Sequence, residues 1–234
     1  LWFGVRITGG QARGIPLAVP RGDAVRPATD ALRQALFSSI GAQRVEGARF
    51  LDLFAGSGAY GLEALSRGAA GGLFVERDRR TAACLEKNLA AVTKSLGQSP
   101  KRANGTAVVR ERCGTERRRE VAPSLAAILT ADVSSPSWET AATALAPNLV
   151  FIDPPYEIIE AIAVPLFARR LRTLLSTQTG SESLLPQPEP PRPPLVIFEL
   201  PGGLELAPEG WHCVKRLGGK TPRQPSLVLF EPSS

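Results

Sequence analysis

A chain of 234 residues, 43% of them hydrophobic, is long enough to bury one substantial core and too short for several. Its formal charge of +6 favours a polyanionic partner. One histidine and three widely spaced cysteines (Cys84, Cys113 and Cys213) argue against a metal centre or a disulfide framework, and no apolar run reaches the ~18 residues of a membrane span.

The chain opens on an arm. Val5-Arg6-Ile7-Thr8 alternates like a short strand, stops at Gly9-Gly10, and can pair back with Arg13 to Leu17 as a hairpin. Arg26 to Asp30 reads as an extended piece ending in helix N-cap residues. The helix that follows carries Leu32, Leu36, Phe37 and Ile40 at helical spacing and stops at Gly41. Residues 1–49 hold seven arginines and no lysine, against three acids. Arginine suits phosphate forks, so Arg6, Arg13, Arg26 and Arg33 are expected to contact nucleic acid. The competing reading is a solvated arm that covers the edge of a sheet.

From Arg49 the pattern alternates strand and helix. The hydrophobic run Phe50 to Phe54 leads into Gly56-Ser57-Gly58-Ala59-Tyr60-Gly61. That is a buried strand, a glycine turn and a helix start running to about Arg67, with Gly68 as its stop. Glycines allow positive φ and close approach of a ligand, and a helix start offers unpaired N–H groups. Gly72 to Glu76 is the next strand, with its acid twenty residues past Gly56. Read alone, these features are the dinucleotide fingerprint. Asp52 changes that reading, because a carboxylate at the first strand's end can face an ammonium. Ligands in open α/β sheets sit beyond the carboxyl ends of strands, which places Glu76 on a ribose diol. Asp78 can cap the following helix, which packs through Ala82, Leu85, Leu89 and Val92.

Residues 94–123 read as a basic insertion, with Ala107 to Val109 as a short strand inside it. Leu125 to Leu129 then leads to Asp132, which could face an adenine amino group. That run also reads as a helix end. Leu149 to Ile152 is a buried strand delivering Asp153-Pro154-Pro155-Tyr156 at its tip. The prolines stiffen the turn and remove two donors. Asp153 adds an acceptor and Tyr156 an aromatic face, which suits a primary amine on a base. The glycine loop and this turn together read as an S-adenosylmethionine pocket beside an amine-methylating site. A helix over 157–175 with Pro165 as its break, a flexible 176–194 loop and a strand at Leu195 to Glu199 follow. Trp211 to Arg216 and Ser226 to Phe230 close the chain as an antiparallel pair. His212 is read as structural.

These residues resemble the bacterial-type 16S ribosomal RNA guanine-N2 methyltransferases. The resemblance rests on Arg6 to Gly10, Arg26 to Asp30 with Ala35 to Phe37, Leu51 to Gly58, Gly61 to Ala69 and Asp153 to Tyr156. It covers most of 4–92 and 145–234. Gln34, where the family often has an acid, and Tyr60, where an aliphatic residue is common, depart from it. The resemblance implies a Rossmann-like fold: a mostly parallel seven-stranded sheet with a C-terminal antiparallel strand. It implies S-adenosyl-L-methionine as methyl donor and a guanine amine of small-subunit rRNA, free or in an assembling particle, as acceptor. The expected cofactor residues are Asp52, Phe54, Ala55, Gly56, Gly58, Glu76, Arg77 and Asp132. The expected catalytic residues are Asp153, Pro154, Pro155 and Tyr156.

The expected division is an RNA-contacting arm and helix over 1–45 and a methyltransferase domain over 46–234, with insertions near 94–123 and 176–194. A monomer in the cytoplasm is expected, or in an organelle if a targeting segment once preceded Leu1. The rivals are a DNA adenine-N6 or protein glutamine-N5 methyltransferase, an NAD-dependent dehydrogenase, and a non-catalytic RNA-binding assembly factor.

Overall fold

The computed structural model describes residues 5–19, 30–97, 126–176 and 193–233. Seven strands form one sheet: β1 (Arg49–Leu53), β2 (Gly71–Glu76), β3 (Ala126–Thr130), β4 (Leu149–Ile152), β5 (Leu195–Pro201), β6 (Trp211–Gly218) and β7 (Pro225–Pro232). Their spatial order is β3-β2-β1-β4-β5-β7-β6. Strands β1 to β5 pair in parallel, and β7 runs antiparallel to both β5 and β6. The mostly parallel seven-stranded sheet expected from the sequence is therefore present. The strand order reverses between β1 and β4, which opens a crevice at their carboxyl ends.

Both faces of the sheet are covered, so every residue of β1 and β4 is buried, and β4 reads as an unbroken apolar run. Alternate residues feed two separate cores. On one face Phe50, Phe74, Phe151 and Ile197 meet α1 (Asp30–Ile40), α3 (Ala59–Ser66) and α4 (Arg79–Ser95). On the other, Leu51, Val75, Val150 and Phe198 meet Trp138 and Ala142 before and within α5 (Glu139–Leu145), and Phe167 and Leu171 beyond α6 (Ile159–Pro165). The short α2 (Ala42–Val45) joins α1 to β1.

The N-terminal hairpin is formed: Ile7 N–H donates to the Ile15 carbonyl at 2.9 Å and Leu17 N–H to the Val5 carbonyl at 2.7 Å. Val5, Ile7, Leu17, Leu36 and Phe37 join the same core as β1, so hairpin and α1 are packed onto the sheet. Asp78 caps α4, its side chain accepting from Thr81 N–H. Pro165 does not break its helix. The chain continues as a π-helical stretch, Leu166–Leu171, and then α7 (Arg172–Ser176). A widened turn accommodates the missing proline donor and keeps Leu166, Phe167 and Leu171 in the core. Residues 98–123 of the basic insertion, residues 177–192 of the later loop, and Arg26 lie outside the described residues.

Candidate functional site

The crevice at the strand ends is a cavity of about 640 Å³, within the usual range for small-molecule sites. Four of the acids that line it, Asp52, Glu76, Asp153 and Glu199, come from the carboxyl-end side of parallel strands. Asp52 on β1 is almost wholly buried, and its Oδ2 accepts from Gly61 N–H at 3.0 Å. That amide lies in the first turn of α3, so Asp52 caps the helix from within the sheet. Between them the chain makes three positive-φ steps: Phe54 (61°), Gly56 (55°) and Gly58 (81°). Phe54 in that region is a strained residue at the cavity wall. Gly58 begins α3, and a side chain there would overlap Leu85.

Glu76 at the end of β2 ties the loop down. Its Oε2 accepts from Gly56 N–H at 2.9 Å and its Oε1 from Asp78 N–H at 2.8 Å. Asp153 follows β4, and its N–H reaches the Leu53 carbonyl at 3.4 Å. Pro154 is buried, whereas Pro155 and Tyr156 are exposed at the cavity mouth. Glu199, in β5, is 3% exposed and accepts from the Tyr60 hydroxyl at 2.7 Å. The Tyr60 ring stacks on Phe151 with centroids 5.4 Å apart.

Loss of water raises Asp52, Asp153 and Glu199 alike. Burial, with Glu76 nearby, pushes the Asp52 carboxyl up to about 8, against the opposing hydrogen bond from Gly61. Burial lifts Glu199 to about 7, although the Tyr60 hydrogen bond favours its charged form. Asp153 is raised well above the carboxylate range by burial and by the charges of Glu199 and Asp52. Among the described residues Asp52, Asp153 and Glu199 have no ion pair. Arg77 is the one cation among the described residues lining the cavity, and it pairs with Asp132 at 3.8 Å instead of with these acids.

Of the residues expected to hold a cofactor, Asp52, Phe54, Ala55, Gly56, Glu76 and Arg77 line this cavity, as do Asp153, Pro154, Pro155 and Tyr156. Gly58 and Asp132 do not. Asp132 lies two residues past β3, where its Oδ1 accepts from Ser134 N–H at 2.7 Å and Ser134 Oγ at 2.6 Å. These bonds hold its carboxyl below the ordinary range. Its neighbours Ala131 and Val133 face the cavity instead, giving an apolar wall. The Asp132 side chain, expected to face the adenine, stands off the cavity lining, with its Oδ1 held in an Asx turn and its Oδ2 3.8 Å from Arg77.

The arm arginines also separate. Arg6 is exposed and pairs with Asp30 at 3.2 Å, and Arg13 is exposed. Arg33 is fully buried, bonded to Asp30 at 2.8 Å, to Glu63 at 3.5 Å and to the Arg6 carbonyl. The phosphate contact expected of Arg33 is corrected, since a guanidinium with no exposed surface braces the arm against α3.

The sequence reading passes over Tyr60 and Glu199 as site residues. Glu199 carries the signal used for Glu76, an acid closing an apolar strand run. The role of Tyr60 depends on a partner 139 residues away.

The chain is similar to known proteins both in sequence and in fold. Over 88 residues the chain is 51% identical to Ribosomal RNA small subunit methyltransferase D of Escherichia coli (strain K12), covering 38% of this chain and 44% of that one. The chain spans less than half the length of the curated relatives it matches. A solved structure of a candidate methyltransferase from Escherichia coli superposes with a TM-score of 0.61 at 27% identity, covering 98% of both chains. A protein of Thermus thermophilus described as hypothetical gives 0.58 at 27% identity, covering 96% of this chain and 98% of its own. The family described as Conserved hypothetical protein 95 matches residues 5–121, the hairpin, α1, the glycine loop and the acid of β2 included, and the chain belongs to that family.

Proposed function

We propose that the chain is an S-adenosylmethionine-dependent methyltransferase acting on the exocyclic N2 amine of a guanine in small-subunit ribosomal RNA. The observation that carries this reading is the cluster of buried Asp52 and Glu199 with half-buried Asp153, none of them in an ion pair among the described residues, at the cavity beside the glycine loop. Such a site fits a ligand that brings an ammonium and a sulfonium. It repels a pyrophosphate, which disfavours the dinucleotide reading of the same glycines. When bound, the donor supplies an electrophilic methyl group on cationic sulfur.

The remaining work falls to the chain's own residues. Glu76 would accept from a ribose diol while keeping its bonds to Gly56 and Asp78, since a carboxylate has about four acceptor positions. Asp52 would face the ammonium, and Ala131 and Val133 would offer an apolar wall to the adenine. Asp153 and the Pro154 carbonyl would accept from the acceptor amine and orient its lone pair. Tyr156, 37% exposed at the mouth, would stack on a base taken out of its helix. Holding the reacting atoms in line is a positioning effect worth up to ~7–11 kcal/mol for well-oriented reactants. The rRNA substrate is supported by the name of the Escherichia coli relative and by the charge of +6, with Arg6, Arg13 and Arg26 as phosphate contacts.

The test is methyl transfer from labelled donor to small-subunit particles, naked rRNA and DNA, followed by nucleoside analysis. N2-methylguanosine in the RNA is the expected product. N6-methyladenine in the DNA would overturn the substrate. No transfer to any acceptor, with tight binding of NAD and no response to S-adenosylhomocysteine, would overturn the class.

A further inference from the structure

Two acids stand side by side at the carboxyl end of the sheet. In the parallel register of β4 and β5, Ile152 pairs with Phe198. The next position on each strand is Asp153 and Glu199. Side chains at matched positions of neighbouring strands point to one face, and both residues line the same cavity. Glu199 is fixed in place by the Tyr60 hydroxyl at 2.7 Å, and Tyr60 is itself locked by its stack on Phe151. The Tyr60 hydroxyl engages Oε2 of Glu199 and leaves Oε1 outside that bond.

Resting on the methyltransferase reading above, we infer that Asp153 and Glu199 work as one proton-sharing pair, held by Tyr60, that receives the proton leaving the methylated amine. Methylation forms a nitrogen–carbon bond and makes the nitrogen cationic. Restoring a neutral amine requires loss of one N–H proton, with the electron pair of that bond staying on nitrogen. Two neighbouring carboxyl groups sharing one proton have an ionised member ready to take it. Asp153 touches the amine. Glu199 acts through Asp153 and is a positioning residue.

The charged and titratable groups around the pair come from every packed element: Asp52 on β1, Glu76 on β2, Tyr60 on α3, Arg33 on α1 and Glu157 beyond β4. Asp52 adds to the pressure on Asp153 to keep a proton. Arg33 acts on Tyr60 in the opposite sense, favouring negative charge there.

The test compares wild type, Glu199→Gln and Tyr60→Phe by two readouts. The first is carboxyl titration by NMR in the ligand-free protein, which needs no reaction. In Glu199→Gln the Asp153 midpoint should fall by about one pH unit or more, the size that defines a coupled pair. In Tyr60→Phe the Glu199 midpoint should rise, because a bond favouring its charged form is gone. The second is the pH profile of kcat, whose acidic limb should move down in Glu199→Gln while donor KM stays within about threefold. An Asp153 midpoint identical in wild type and Glu199→Gln overturns the pair. So does an unmoved kcat limb in a Glu199→Gln protein that melts and binds donor normally. Should Glu199→Gln fail to fold, a Glu199 midpoint unchanged in Tyr60→Phe overturns it instead. Shifted titrations in a protein that methylates no acceptor would sink the methyltransferase reading and leave the proton sharing standing.

Discussion

At the scale of single residues, Glu76 and Asp153 divide the work of the cavity. Glu76 binds the loop and, in the proposed function, the donor. Asp153 faces the acceptor. Glu76→Ala removes the acceptor of two backbone N–H groups and should weaken S-adenosylhomocysteine binding at least tenfold by calorimetry. Asp153→Ala should leave that affinity within a few-fold and lower single-turnover methyl transfer by about 10²–10⁴. Near-normal turnover of Asp153→Ala on its preferred substrate would sink the amine-holding role. Glu76 and Asp153 are legible in the sequence because each closes a short apolar run, and Asp52 because it interrupts one. Asp132 shares that position but not that environment: Ser134, two residues on, takes its carboxylate locally. Arg33 misleads for a related reason. An arginine among arginines looks solvated until Glu63, thirty residues on, is folded beneath it.

At the scale of elements, the strands are legible and their neighbours are not. The apolar runs of β1, β4 and β5 and the helical spacing of α1 and α4 declare themselves. Strand order depends on contacts far apart in sequence, which periodicity does not carry. The π-helical stretch after Pro165 is hidden too, because core burial of Phe167 and Leu171 outweighs the local preference to stop. The third glycine of the loop shows how tightly α3 rides on the sheet. A Cβ at Gly61 would overlap the rings of Phe50 and Phe74, which themselves meet edge to face at 5.0 Å. Gly61→Ala gains about 1 kcal/mol of helix propensity and meets overpacking of about 1–3 kcal/mol. The net effect should be a loss of stability in urea unfolding, and a stabilised Gly61→Ala would contradict the packing argument. Arg33→Ala removes the link between α1 and α3 that Glu63 completes. Glu63 keeps Thr8 and Arg67, so the loss should be about 1–3 kcal/mol. The salt dependence of RNA binding should be unchanged, in contrast to replacement of exposed Arg13.

At the scale of the molecule, a chain with a formal charge of +6 holds a pocket of acids whose ionisation burial opposes. This makes stability depend on pH in a stated direction. Asp52 and Glu199 have folded values of about 8 and about 7, above their ordinary 3.8 and 4.5. The folded state therefore binds more protons than the unfolded state between those limits, and stability falls as pH rises through the window from about 4 to about 8. Asp78 and Asp132, held low by hydrogen bonds, act in the opposite sense, and their contribution is lost only as pH falls below their ordinary 3.8. Above about pH 5 the pocket acids decide the slope. The melting temperature of the ligand-free protein should decline from about pH 5 to about pH 8. Asp52→Asn should remove much of that decline. S-adenosylmethionine, bringing positive charge to the acids, should raise the melting temperature more at about pH 8 than wild type loses by standing there. Its binding should release protons, read as a dependence of calorimetric enthalpy on buffer ionisation. A melting temperature flat across that window, or a slope that survives in Asp52→Asn and Glu199→Gln alike, would place the stored charge somewhere other than the pocket and remove the main electrostatic argument for a cationic ligand.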